Sequence, residues 1–297
     1  MEAATASAAD PAEPIVLSGN LVLEADCAQV LPRLPDGAFE LIYIDPPFNT
    51  GTARRHRRLV VARDELGGDR SGFGGHRYRS RAADADAPAY GYEDSFDDYL
   101  AFLGPKLERA RELLKPEGTL YVHLDYREAH YVKLALDRIF GRDCFLNEII
   151  WAYDYGAKPA RRWPAKHDTI LVYVRTPGGH LFDAEAVERE PYMAPGLVSA
   201  EKAARGKRPT DTWWHTIVPT AGRERTGYPT QKPEGVLRRI VAASSRPGGW
   251  CLDFFAGSGT LGAVCEQLGR RYVLIDSSPH AIAVIRARLA TAATNGG

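Results

Sequence analysis

The apolar positions of this 297-residue chain fall into short runs separated by amphipathic stretches. Leu21 to Ala25, Leu41 to Ile44, Thr119 to Leu124, Glu148 to Tyr153, Thr169 to Arg175, Trp250 to Phe255 and Tyr272 to Ile275 have strand length and little polar alternation. Such runs read as buried strands, because a strand covered on both faces has no solvent side to mark with polar residues. Phe96 to Leu114, Arg127 to Phe140 and Pro279 to Ala293 carry helical spacing instead. The first is closed by Lys115-Pro116-Glu117-Gly118 and the second by Gly141. Strands alternating with helices predict an α/β fold built on a doubly wound, mostly parallel sheet.

Two of these strands end in residues with chemistry. Leu41 to Ile44 runs into Asp45-Pro46-Pro47-Phe48. Pro47 biases Pro46 toward extended backbone and neither proline has an N–H, so local carbonyls are not consumed by a helix. A carboxylate and a carbonyl beside a ring suit a flat substrate with an exocyclic amine, whose two N–H protons they accept while Phe48 stacks on its face. A proline turn with a solvated acid is the plainer alternative. The second strand, Trp250 to Phe255, leads into Ala256-Gly257-Ser258-Gly259-Thr260-Leu261-Gly262 and a helical pattern through Leu268, while Asp276 ends the next apolar run. This fits a dinucleotide-type glycine turn with a ribose-binding acid, a weak signal by itself. Two strands do not complete a nucleotide-binding sheet, so the rest must come from earlier in the chain, including the strand ending at Asp45. Ligands of such sheets bind at the carboxyl ends of the strands, which brings the two motifs together.

In these residues the chain resembles the beta-class S-adenosylmethionine-dependent amino methyltransferases of DNA. That family places its Asp-Pro-Pro-aromatic motif first, target recognition in the middle and Phe-x-Gly-x-Gly last. Asp45 to Phe48 match the first, Phe255, Gly257 and Gly259 the last, and Thr230-Gln231-Lys232-Pro233 the Thr-x-Lys-Pro segment between. The resemblance implies a circularly permuted, Rossmann-like methyltransferase sheet, with Glu148 to Tyr153 and Thr169 to Arg175 as its antiparallel edge hairpin. It implies that Asp45, Pro46, Pro47 and Phe48 form the catalytic tip. Phe255, Gly257, Gly259 and Thr260, with Asp253 before them, would cradle the methionine end of S-adenosylmethionine. Asp276 would hold the ribose, Asp26 and Cys27 would face the adenine, and Thr230, Lys232 and Pro233 would close the pocket near the methionine carboxylate. For Asp26 and Asp276 an ordinary strand-end acid is the alternative. The expected division is a disordered tail at 1–18, a catalytic half at 19–175 with a mobile loop at 52–93, a target-recognition insertion at 176–228 and a cofactor-binding half at 229–297.

Charge sharpens the partner. Lys plus Arg and Asp plus Glu balance at 38 each, yet residues 1–50 hold eight acids and one Arg, residues 52–82 nine Arg and three acids, and residues 158–239 fifteen Lys and Arg against nine acids. The basic segments fall in the loop after the catalytic tip and in the central insertion, as expected for double-stranded DNA. Within the second lie Arg161, Arg162, Trp163, Trp213, Trp214, His215, Arg223 and Arg225, the candidate DNA contacts; packing of the tryptophans in a small lobe is the alternative. Cys27, Cys144, Cys251 and Cys265 show neither metal-ligand spacing nor a disulfide framework, which suits a reduced, cytoplasmic setting without a metal. No run of 18 apolar residues is present, and Met1 to Pro14 reads as neither signal peptide nor membrane anchor. His123, ending a buried strand, reads as a satisfied core histidine. A homodimer and a cognate restriction enzyme stay open as partners.

Carbon-5 methylation of cytosine requires a Pro-Cys nucleophile, absent here, so transfer to an exocyclic nitrogen is expected. An ordinary Asp, with a pKa of about 3.9, does not strip a neutral amine, so proton loss should follow methyl transfer. Asp-Pro-Pro favours adenine N6, with cytosine N4 as the alternative. An RNA or protein-glutamine methyltransferase and a nicotinamide oxidoreductase are the more remote readings.

Overall fold

The structure is a computed structural model that describes residues 13–51, 54–56, 59–64, 66–67, 70–71, 77–82, 90–92, 94–156, 159–219 and 222–294. It divides into two compact units. One comprises the chain up to Asn49 together with everything from Asp97 onward, and the other is Thr50–Phe96. Most of the tail expected at 1–18 lies outside the described residues.

The chain opens with β1 (Leu21–Glu24), α1 (Cys27–Val30) and β2 (Phe39–Ile44). The smaller unit holds β3 (Arg54–His56), β4 (Leu59–Arg63), β5 (Arg70–Ser71), β6 (Arg77–Ala82) and β7 (Tyr90–Tyr92). Then follow α2 (Tyr99–Leu113), β8 (Leu114–Leu124), α3 (Ala129–Phe140), β9 (Phe145–Ala152), β10 (His167–Val174), α4 (Ala200–Arg205) and β11 (Thr212–Trp214). The last segment is α5 (Glu234–Ser244), β12 (Trp250–Asp253), α6 (Thr260–Leu268), β13 (Arg271–Asp276) and α7 (Pro279–Thr294).

Eight strands form one sheet in the order β1-β13-β12-β2-β8-β10-β9-β11. β12 pairs in parallel with β2, Cys251 opposite Leu41 and Leu252 opposite Ile42. The two late strands therefore lie between β1 and β2, as sharing of one sheet by the two motifs required. β2 is buried along its whole length, which is why its sequence shows no alternation. Leu41, Tyr43, Cys251 and Leu274 share a cluster with Val236, Leu237, Leu261, Ile282 and Ile285 of α5, α6 and α7. Ile42 and Ile44, of opposite parity, face the other side of the sheet, where α2 and α3 pack against β8 and β10.

Local signals place the element boundaries. Asp98 caps α2 by accepting the Ala101 N–H at 2.9 Å, so that helix starts at Tyr99. The segment expected to close it, Lys115 to Gly118, instead belongs to β8. β9 and β10 form the antiparallel hairpin, but not at the edge, because β11 adds in parallel outside β9. Three residues with two tryptophans are too short to show a period.

The described residues of 52–93, expected as a mobile loop, include short strands. β3 pairs with β7, and β4, β6 and β5 form a second antiparallel set. Arg77-Tyr78-Arg79-Ser80-Arg81-Ala82 does alternate with period two, but with arginine on one parity, a pattern that reads as charge rather than as a strand.

Candidate active site

Six consecutive strands, β1-β13-β12-β2-β8-β10, carry an aspartate at one edge of the sheet. These are Asp26, Asp276, Asp253, Asp45, Asp125 and Asp168. Five stand at the carboxyl ends of parallel strands, and Asp168 is the second residue of antiparallel β10, just before Thr169, which pairs with Leu124. The polypeptide thus concentrates carboxylates along one rim, an environment that favours a cationic ligand.

At the centre of this rim Asp45 follows Ile44, the last residue of β2. Lys232 Nζ donates to Asp45 Oδ2, while Oδ1 is buried and has no hydrogen-bond partner in the described residues. The same ammonium lies 4.9 Å from the centroid of Phe48. Phe48 also meets His123, ring to ring at 6.1 Å. Beyond it Asn49 adopts a left-handed φ of 53° and its side chain donates to Glu128 at 2.8 Å, which fixes the exit of the tip against the start of α3.

One strand over, the β12–α6 turn is assembled largely by the backbone. Asp253 accepts the Phe255 N–H at 2.9 Å. Asp276 accepts the Gly257 and Ser278 N–H groups, each at 2.8 Å. Gly259 has φ 69°, and a Cβ there would lie 2.8 Å from Ile285 Cγ1, so the turn can approach α7 only with glycine. Burial pushes the Asp253 carboxyl well above the usual carboxylate range, and raises Asp276 despite its two N–H donors. A positively charged group bound beside them would favour their ionised form. At the β1 end, Asp26 caps α1 by accepting the Ala28 N–H at 2.9 Å. Burial pushes the neighbouring Cys27 thiol up to about 12, so it is a packing group rather than a nucleophile. Thr260 donates to the Lys232 carbonyl at 3.0 Å and ties the two halves of the rim together.

The basic and aromatic residues of the centre of the chain divide. Arg161, Arg162, Arg223 and Arg225 are exposed, Trp163 is 94% exposed and Trp214 70%. Trp213 is buried at 7%, donates to the Thr210 carbonyl at 2.6 Å and lies under the Arg239 guanidinium. That packing removes it from the candidate DNA contacts. His215 is partly buried, with Nδ1 2.8 Å from the Thr216 carbonyl.

Sequence reasoning missed a polar network beneath the tip. The Tyr43 hydroxyl is 2.8 Å from His123 Nδ1, His123 Nε2 is 3.2 Å from Asp168, and Tyr153 donates to Asp168 at 2.9 Å. Burial would raise the Asp168 carboxyl, but the His123 and Tyr153 hydrogen bonds and the charge of Lys232 hold it below its ordinary value. His123 is the satisfied core histidine expected, and its partners are Asp168 and Tyr43, a tyrosine read from sequence only as an apolar position of its strand. Tyr228 and His280 form a stacked pair, centroids 5.7 Å apart, and Tyr228 borders Gly257. No sequence signal joined them.

An open α/β sheet with a glycine turn next to a proline-flanked acid is an arrangement that can hold a nucleotide beside a hydrogen-bond acceptor. The family model for DNA methylases of the N6/N4 type matches residues 39–287, and the chain belongs to that family of amino-methyltransferases. Among curated proteins it is similar to the Type II methyltransferase M.HpaI of Haemophilus parainfluenzae, 29% identical over 89% of this chain and 72% of that protein. It is also similar to the DNA adenine methyltransferase YhdJ of Escherichia coli (strain K12), 26% identical over 86% of this chain and 77% of that one. Among solved structures it resembles the cytosine-N4-specific PvuII DNA methyltransferase, with a TM-score of 0.62, 14% identity and coverage of 91% and 86%. The complex of M1.HpyAVI with its cofactor gives 0.55, 19% identity and coverage of 90% and 98%. At these identities the two structures speak to the fold alone. Among the described residues no helix is long and apolar enough to cross a membrane.

Proposed function

We propose that this protein transfers the methyl group of S-adenosylmethionine to the exocyclic amine of a base flipped out of double-stranded DNA, and that the base is adenine. The observation that carries the reading is Asp45 Oδ1, a buried acceptor without a partner, one strand from a glycine turn. A buried acceptor left open is costly, and an arriving N–H donor removes that cost.

When bound, S-adenosylmethionine would supply an electrophilic methyl on a sulfonium. The residues of this chain do the rest. Asp26, Asp253 and Asp276 and the turn from Phe255 to Thr260 place a nucleoside with a cationic tail along the rim. Asp45 Oδ1 accepts one hydrogen of the target amine and the Pro46 carbonyl the other, which favours a pyramidal nitrogen with its lone pair free. Phe48 holds the ring face. Methyl transfer to that nitrogen would break the donor's S–C bond as the N–C bond forms, with S-adenosylhomocysteine as the leaving group, and the extra proton would then pass from nitrogen to water.

A paired base cannot reach this tip, so it must leave the stack, at roughly a few kcal/mol. Arg161, Arg162, Trp163, Trp214, Arg223 and Arg225 are the exposed groups available to hold the duplex. Adenine is favoured by the acid at the first position of the motif, and the curated relative YhdJ is an adenine enzyme by name. Mass spectrometry of nucleosides, after incubation of duplex DNA with the protein and isotope-labelled S-adenosylmethionine, tests the reading. Labelled N6-methyladenine is expected. Labelled N4-methylcytosine would keep the site and overturn the base, and neither product in varied DNA despite cofactor binding would overturn the transfer.

A further inference from the structure

The resemblance places Lys232 at the methionine carboxylate, but in the structure its ammonium is spent on the catalytic tip. It donates to Asp45 Oδ2 and lies against the Phe48 ring, so it touches the two side chains that would meet the base. We propose that Lys232 is a positioning residue for the target amine. By taking Oδ2 it sets the rotation of the Asp45 carboxylate and leaves Oδ1 as the acceptor. The inference rests on the amine-transfer reading above.

A carboxylate turns easily about its last torsion, so without an anchor neither oxygen is committed. The anchor is itself held by three devices. Thr230, just upstream, has φ 58°, a conformation that a β-branched residue keeps only where its surroundings impose it. The imposing contacts come from Gln231, whose side chain accepts the Thr226 N–H at 2.8 Å and donates to the Glu224 carbonyl at 2.7 Å. Downstream, Glu224 also accepts the Glu234 N–H at 2.7 Å at the start of α5. Between them the Lys232 carbonyl is bound by Thr260, whose hydroxyl oxygen in turn accepts from Arg288 at 3.0 Å. The chain thus strains one residue and ties both flanks to deliver a 10%-exposed ammonium to a 19%-exposed carboxylate. A lysine suits the task because its ammonium binds as a point charge. An arginine fork would engage both oxygens and cover Oδ1.

The test is single-turnover methylation of duplex DNA by Lys232→Met and Lys232→Arg at saturating S-adenosylmethionine, with cofactor affinity measured by calorimetry. Mispositioning of the acceptor predicts a rate loss of about 100-fold in Lys232→Met. Cofactor affinity should stay within about three-fold, since no interaction with it is removed. Lys232→Arg, which keeps the charge, should lose rate to a similar degree. If either variant keeps the wild-type rate at saturating cofactor, the positioning role is wrong. A variant that loses only cofactor affinity assigns Lys232 to the cofactor. Should Lys232→Met fail to fold, Lys232→Arg decides alone. A wild-type protein that binds cofactor but methylates neither base overturns the transfer reading itself, and this role with it.

Discussion

At the ends of β12 and β13, Asp253 and Asp276 accept backbone N–H groups from the glycine turn and, for Asp276, from Ser278 just after it, whereas Asp45 at the end of β2 meets one side-chain cation and keeps an oxygen open. The first region is complete before any ligand arrives. Its two acids shape the turn, and both bear the cost of burial. The second region is incomplete by one donor, in a buried position where such a gap is expensive. A binding half can be built from satisfied backbone. A catalytic tip must retain an unmet valence for the atom it handles.

The contrast breaks most visibly at Asp45. Asp45→Ala should lower the single-turnover methylation rate by roughly 100- to 1000-fold, the scale of losing one aimed polar group in a reaction site, while calorimetry finds cofactor affinity nearly unchanged. Phe48→Ala should weaken binding of the flipped base by about 1–3 kcal/mol, the scale of one stacking platform, read as fluorescence of 2-aminopurine at the target position. On the other side of the contrast, Gly259→Ala pushes a Cβ toward Ile285 at an unfavourable φ. It should cost about 1–3 kcal/mol of stability and weaken the cofactor, with the rate at saturation recovering.

The smallest effect is a pH dependence. The folded-state pKa of Asp253 is raised above its unfolded value by burial, so its charge opposes folding above that raised pKa and the opposition fades as the group takes up a proton at lower pH. Asp253→Asn keeps an acceptor for the Phe255 N–H without the charge. Its melting temperature should exceed wild type at pH 8, and the gain should shrink as pH falls toward 4. A gain that does not change with pH would contradict the assignment.

The two sides of the rim were not equally legible. Asp45-Pro46-Pro47-Phe48 and the turn from Phe255 to Thr260 are contiguous, each a strand run ending in residues with strict backbone demands, and both were read from sequence. Their adjacency followed from topology, since a sheet with strands at both ends of the chain must interleave them. The Lys232 contact was not legible, because 187 residues separate it from Asp45 and only the fold closes that distance. β11 escaped for want of length. In the smaller unit β6 escaped because arginine on one parity masked its alternation. Trp213 and Trp214 are neighbours of the same type with opposite fates, buried and exposed, and only the pairing of β11 with β9 separates them.

Cofactor binding at the ends of β12 and β13 is expected to be separable from amine activation at the end of β2. The most direct measurement is single-turnover methylation as a function of S-adenosylmethionine concentration for Asp45→Asn and Asp276→Asn side by side. Asp45→Asn is expected to lower the plateau and leave the half-saturation point in place. Asp276→Asn should move the half-saturation point by about ten-fold, the scale of a hydrogen bond to a charged group, and reach the wild-type plateau. If both variants shift the same parameter, the strand ends act as one site and cofactor binding is not separable from amine activation.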